Sequence, residues 1–137
     1  MAVVTVQSKE NLKQEIASGK NRILADEPVE AGGADEGFDP YSLLLAALGA
    51  CTSMTLKLYA KNKGWDLRAV NVTLRHEKIH AADCADCETK DAKIDRIWRE
   101  IKLEGELSSE QQVSLREIAK RCPIHRTLTS EISIVDL

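Results

Sequence analysis

Apolar positions along this chain are phased differently from one stretch to the next. From Pro40 to Met54 they are almost continuous, through Leu43-Leu44-Leu45-Ala46-Ala47-Leu48-Gly49-Ala50-Cys51. A run that is apolar all round predicts a helix buried on every side. Asp39 suits the N-cap and Pro40 the first helical position, while Gly64 can take the left-handed conformation that stops a helix. Those bounds predict roughly 20–25 residues of helix. Thr52, Ser53 and Lys57 interrupt the apolar run below the roughly 18 residues a membrane span requires. Leu44, Ala47, Leu48, Cys51, Thr55 and Leu58 follow the i, i+3, i+4, i+7 rule, which puts Cys51 on the packing stripe.

Elsewhere the period drops to two. Val70, Val72, Leu74 and His76 alternate with polar residues, as do Ile97, Arg99, Ile101 and Leu103, and each set predicts a half-buried strand. Arg99 falls on the apolar face of its strand, an odd place for a charge. Val3–Val6 and Arg22–Asp26 read as short strands, with a turn at Gly19-Lys20-Asn21. Lys9 to Ser18 fits a short helix or a loop. Glu27 to Asp39, with Pro28, Gly32, Gly33 and Gly37, is a loop feeding the long helix. Ser108 with Gln111, or Ser109 with Gln112, makes a capping box that opens a second helix running to about Arg121. Leu115, Ile118, Ala119 and Cys122 form its apolar stripe. Ile132, Ile134 and Leu137 suggest a last strand. The order is β-β-α-β-β-α-β around a long buried central helix, an α+β fold in one domain over residues 1–137.

Composition adds bounds rather than chemistry. The chain has 137 residues, 43% of them hydrophobic and 30% charged, with a net charge of −3. No basic patch or arm is present, so nucleic acid is not an expected partner. The N-terminal segment lacks the charged region and apolar core of a signal peptide, and no membrane association is expected, so the expected location is cytoplasmic. Four cysteines in such a compartment read first as thiols or metal ligands.

Cys51 and Cys122 each lie on the apolar stripe of one of the two helices. If those helices pack together, the sulfurs can meet as an attacking and a resolving thiol; the alternative is two small core hydrophobes. Only a thiolate attacks, and Cys51 lies too far from its helix start for the macrodipole to activate it. A cation from another segment is needed, and Arg22, Arg99, His125 and Arg126 are the candidates. Pro123 pushes Cys122 out of helical geometry. Cys122 therefore either ends one helix or caps a new short one from Pro123 to Leu128.

Gly37-Phe38-Asp39-Pro40-Tyr41, leading into Leu-Leu-Leu-Ala-Ala-Leu-Gly-Ala-Cys51-Thr, and later Lys120-Arg121-Cys122-Pro123-Ile124-His125-Arg126, resemble the OsmC/Ohr family of osmotically inducible and organic hydroperoxide resistance proteins. The resemblance covers nearly the whole chain. It implies an intertwined homodimer with active sites at the subunit interface, and cofactor-free, thiol-dependent reduction of organic hydroperoxides to alcohols. Cys51 matches the family's peroxidatic cysteine, Cys122 its resolving cysteine, and Arg22 the arginine that holds the thiolate. The implied reductant is a dithiol, in some members a lipoyl group on another protein. The family's hydroperoxide reductases carry a Glu directly after the Pro of the helix-start motif. Tyr41 stands there in this chain, which places it nearer an OsmC-like branch.

His80-Ala81-Ala82-Asp83-Cys84-Ala85-Asp86-Cys87-Glu88 holds a C-x-x-C that the family motif does not use. An ordinary hairpin loop, a zinc site and an auxiliary disulfide are the three readings, and no second C-x-x-C completes a four-ligand zinc site. The rivals to a peroxidase are a non-enzymatic module that binds a small apolar ligand at the dimer interface, and a zinc-stabilised domain. No catalytic metal or cofactor is expected.

Overall fold

The computed structural model describes all residues, Met1–Leu137. Its chain packs into two compact units, Met1–Leu44 and Leu45–Leu137. In the first, strands β1 (Thr5–Ser8), β2 (Gln14–Ser18) and β3 (Asn21–Ala25) form an antiparallel sheet in the order β1-β2-β3. Val6 pairs with Ile16, and Ile16 with Ile23. Gly19 takes the positive φ of 57° that the tight β2–β3 turn needs. The following loop is tied down by buried Asp26, whose carboxylate accepts the backbone N–H groups of Glu27, Ala34 and Glu36. Burial opposes its charge, but those three bonds hold the carboxyl below its ordinary range. Asp39 caps the next helix by accepting from the Ser42 N–H at 3.0 Å.

That helix, α1 (Pro40–Lys63), is 24 residues long and ends before Gly64, whose φ is +69°. Length and composition alone would let it cross a membrane. It is not buried on every side: its buried positions are Leu48, Gly49, Thr52, Leu56 and Ala60. Met54 and Leu58 are 70% and 61% exposed. The buried stripe follows a period of four, offset from the spacing of Cys51, Thr55 and Leu58. A uniformly apolar first half carries no phase information, so the element packed against the helix sets the phase.

In the second unit that element is a ribbon of two strands, β4 (Ala69–His80) and β5 (Lys93–Glu104), paired antiparallel along their whole length. Val70 faces Leu103, Val72 faces Ile101, Leu74 faces Arg99 and His76 faces Ile97. These are the alternating sets expected from period two. Helices α2 (Ser109–Ala119) and α3 (Pro123–Leu128) complete the unit. The Ser108–Gln111 capping box opens α2 with both of its hydrogen bonds formed. Leu56, Ala60, Leu67, Ile101, Leu115, Ile118 and Ala119 make the core. Each large side chain buried there contributes about 1.5–3 kcal/mol.

The fold is α+β as expected, with two changes of detail. Lys9 to Ser18 contributes a strand, β2, so the N-terminal sheet has three strands rather than two. The expected last strand at Ile132–Leu137 does not form: residues 131–137 carry no regular structure.

Candidate functional site

The site is assembled where α1, β5 and the α2–α3 junction converge. Cys51 lies on α1 and is partly exposed; Cys122 follows α2 and is fully buried. The two thiols are close enough for each to shift the other's acidity. Cys122 serves as the N-cap of α3, its Sγ accepting the His125 N–H at 3.4 Å. Of the two geometries that Pro123 permits, the chain takes the one that starts a new helix.

Thr52 is completely buried one residue from Cys51. Its hydroxyl donates to the Leu48 carbonyl at 2.7 Å and accepts from Arg99 Nη1 at 3.0 Å. The same Arg99 nitrogen reaches the Ala119 carbonyl at 3.3 Å. A single guanidinium thus links the middle of α1, beside Cys51, to the end of α2, shortly before Cys122. Burial pulls the Arg99 pKa down, and negative charge on Cys122 pushes it back up. An arginine stays protonated under that pull.

The environment splits the thiols. Burial pushes Cys51 up, and the neighbouring Cys122 adds to the rise. Burial opposes ionisation of Cys122 as well, yet the neighbouring Cys51 thiol and the His125 and Ile124 N–H groups outweigh it and bring Cys122 below the ordinary thiol value. The two shifts run in opposite directions, Cys122 toward the thiolate and Cys51 toward the thiol. His125 is held below the usual histidine value by burial and by the charges of Arg99 and Lys120, so its imidazole is neutral near pH 7. A cavity of about 330 Å³ opens beside these groups, lined by Leu48, Ile97, Arg99, His125 and Leu128, with Asp95 among its polar lining.

Of the candidate cations, Arg99 and His125 stand in this unit beside the thiols. Arg22 belongs to the N-terminal unit, where its guanidinium donates to the Gly19 and Asn21 carbonyls at 2.8 and 3.0 Å. Thr52 escaped the sequence reading. Its signal was a hydroxyl inside an apolar helix, where a threonine turns back on the carbonyl four residues earlier. Cys84 and Cys87 form a disulfide, with Cα atoms 5.4 Å apart.

The chain belongs to the OsmC-like protein family, whose model matches residues 32–135 and so crosses the boundary between the two units. Among solved structures it is similar to an OsmC-like protein from Mycoplasma pneumoniae, at 20% identity and a TM-score of 0.74, over 95% of this chain and 88% of that one. It is also similar to an organic hydroperoxide resistance protein OsmC from Legionella pneumophila, at 17% identity and a TM-score of 0.66, over 95% and 90% of the two chains. The organic hydroperoxide resistance protein OhrB of Bacillus subtilis matches at 18% identity and a TM-score of 0.63, over 95% and 91%. At these identities the likeness concerns the fold. No curated protein matches the sequence.

Proposed function

We propose that this protein is a cytoplasmic thiol-dependent peroxidase that reduces organic hydroperoxides to alcohols with the Cys51–Cys122 pair, as a homodimer of one domain over residues 1–137. What supports this reading is a pair of thiols that shift each other's acidity, next to a half-buried guanidinium held by Thr52.

In the resting pair the charge sits on Cys122 and the proton on Cys51. The Cys122 sulfur takes that proton as Cys51 attacks the distal peroxide oxygen. The O–O bond breaks, Cys51 becomes a sulfenic acid, and the departing alkoxide takes the proton that Cys122 holds and leaves as an alcohol. Cys122, having given up its proton again, attacks the Cys51 sulfur. Hydroxide departs and is protonated to water, leaving a Cys51–Cys122 disulfide. A dithiol donor, such as a lipoyl group, reduces that disulfide and becomes oxidised itself. Neutral His125 beside the cavity is placed to pass a proton to a departing oxygen. Leu48, Ile97 and Leu128 supply an apolar wall for the alkyl group.

The test mixes the protein with an alkyl hydroperoxide and a dithiol and follows dithiol oxidation in wild type and Cys51→Ser. Turnover by the wild type and none by the variant is the expected result. Equal inertness would sink the reading and leave the cavity as a binding site for a small apolar ligand, without catalysis. Arg99 and Arg22 are the two proposed sources of the activating charge, and the relative losses in Arg99→Met and Arg22→Ala decide between them.

A further inference from the structure

The peroxidase reading leaves the Cys84–Cys87 pair without a role. It lies at the tip of the β4–β5 ribbon, just past the last ladder pair, His80 with Lys93. That pair is six residues along β5 from Arg99, roughly 20 Å at strand rise, so it is a separate centre. The tip is built rather than loose. The Ala81 N–H closes its neck on the Ala92 carbonyl at 2.7 Å, and the Cys84 N–H returns to Ala81 at 3.1 Å. Ala81 and Cys84 are buried, at 1% and 3% exposure. Lys90 holds the Cys84 carbonyl at 3.4 Å.

The position of Asp86 is the informative feature. Its Oδ1 lies 3.2 Å from Cys84 Sγ. A disulfide sulfur has no hydrogen to give, so this contact sets two electron-rich atoms side by side. The contact becomes favourable when a thiol proton or a cation stands between them. One ligand atom each from Cys84, Asp86 and Cys87 falls within 4.8 Å of the other two. The two sulfurs are bonded to each other in this form; once that bond is opened, two thiolates and a carboxylate oxygen at one tip suit a borderline-soft divalent ion such as zinc.

We propose that the ribbon tip is a redox-gated zinc site: the oxidised form is locked as the Cys84–Cys87 disulfide, and the reduced form binds one Zn²⁺ through Cys84, Cys87 and Asp86. Opening the disulfide takes two electrons and two protons from a dithiol donor, which becomes a disulfide. Zinc then displaces the two thiol protons and is held by two thiolates and one carboxylate. Water or an external ligand fills the fourth position. Either form cross-links the tip, and only the metal-free dithiol leaves it open.

The inference is independent of the peroxidase and is tested on full-length Cys51→Ser protein, which removes the other thiol pair. Cobalt(II) is titrated into the reduced protein, followed by competition with zinc. One equivalent per chain should bind with thiolate-to-cobalt charge-transfer absorption, and zinc should displace it. The same protein oxidised to the Cys84–Cys87 disulfide should bind none. Asp86→Asn should weaken binding at least about tenfold without disturbing the fold, and Cys87→Ser should abolish it. No uptake by the reduced protein, or uptake unchanged by Cys87→Ser, overturns the proposal.

Discussion

At the scale of single residues, burial, the partner thiol and the N–H groups at the start of α3 set the acidity of the thiol pair. Cys122 has a folded pKa below its ordinary value, so it carries charge at a pH where a free thiol would not; Cys51 is shifted the other way. Titration by thiolate absorbance of protein carrying Cys84→Ser and Cys87→Ser, with Cys51 and Cys122 reduced, should show two separated steps, one below and one above the ordinary thiol value. Arg99→Met removes the nearby positive charge and should move the lower step upward. A shift of one pH unit corresponds to about 1.4 kcal/mol and would slow peroxide reaction at neutral pH about tenfold. Arg99→Lys should recover part of it. Thr52→Val removes the acceptor that holds Arg99 and the hydroxyl that donates to the Leu48 carbonyl. It should raise the same step and cost about 1–3 kcal/mol in chemical unfolding. A lower step that stays put in both variants would show that the surrounding amides alone set it. The site was half legible in the sequence. Two cysteines on apolar stripes and a charge on the apolar face of a strand were visible as oddities. Which cation met which thiol depended on β5 lying beside α1 and the end of α2, and spacing within one element does not report that.

At the scale of elements, the strongest local signals gave the clearest reading. The period-two alternation of β4 and β5 and the Ser108–Gln111 box appear where their residues predict them. Strand β2 was harder to see, because Gln14-Glu15-Ile16-Ala17-Ser18 has only Ile16 as a β-branched residue, and pairing with β1 and β3 makes it a strand. Residues 131–137 show the converse, since β-branched residues without a ladder partner make no strand. Ser108→Ala removes one half of the capping box and should cost about 1 kcal/mol, read as a lower thermal midpoint, with thiol titration unchanged. Gly105, at φ +141°, carries the chain out of β5 so closely that an added Cβ would lie 1.8 Å from the Asp66 carbonyl oxygen. Gly105→Ala should therefore be far more damaging than Ser108→Ala, and should abolish soluble expression or lower the midpoint by more than ten degrees for an estimated loss of about 3 kcal/mol or more.

At the scale of the whole molecule, α1 leaves large apolar side chains uncovered. Met54 and Leu58 stand out on the second unit, and Ile132, Ile134 and Val135 add to them. Isolated exposed hydrophobics are ordinary, but several on one helix and one tail favour association with a second copy. Sedimentation equilibrium should give a dimer for the wild type. Leu58→Asp should shift it toward monomer, since the side chain costs nothing to charge where water already reaches it. A wild-type monomer at micromolar concentration would refute the homodimer.

Arg99 grips α1 through a side-chain hydroxyl and α2 through a main-chain carbonyl. The group that tunes acidity is therefore also the brace that fixes how far apart the two sulfurs stand. Drift at this position would loosen the spacing and alter the acidity in one stroke, so neither property can be adjusted alone. A lineage seeking a different reactivity would have to graft in a new strut first.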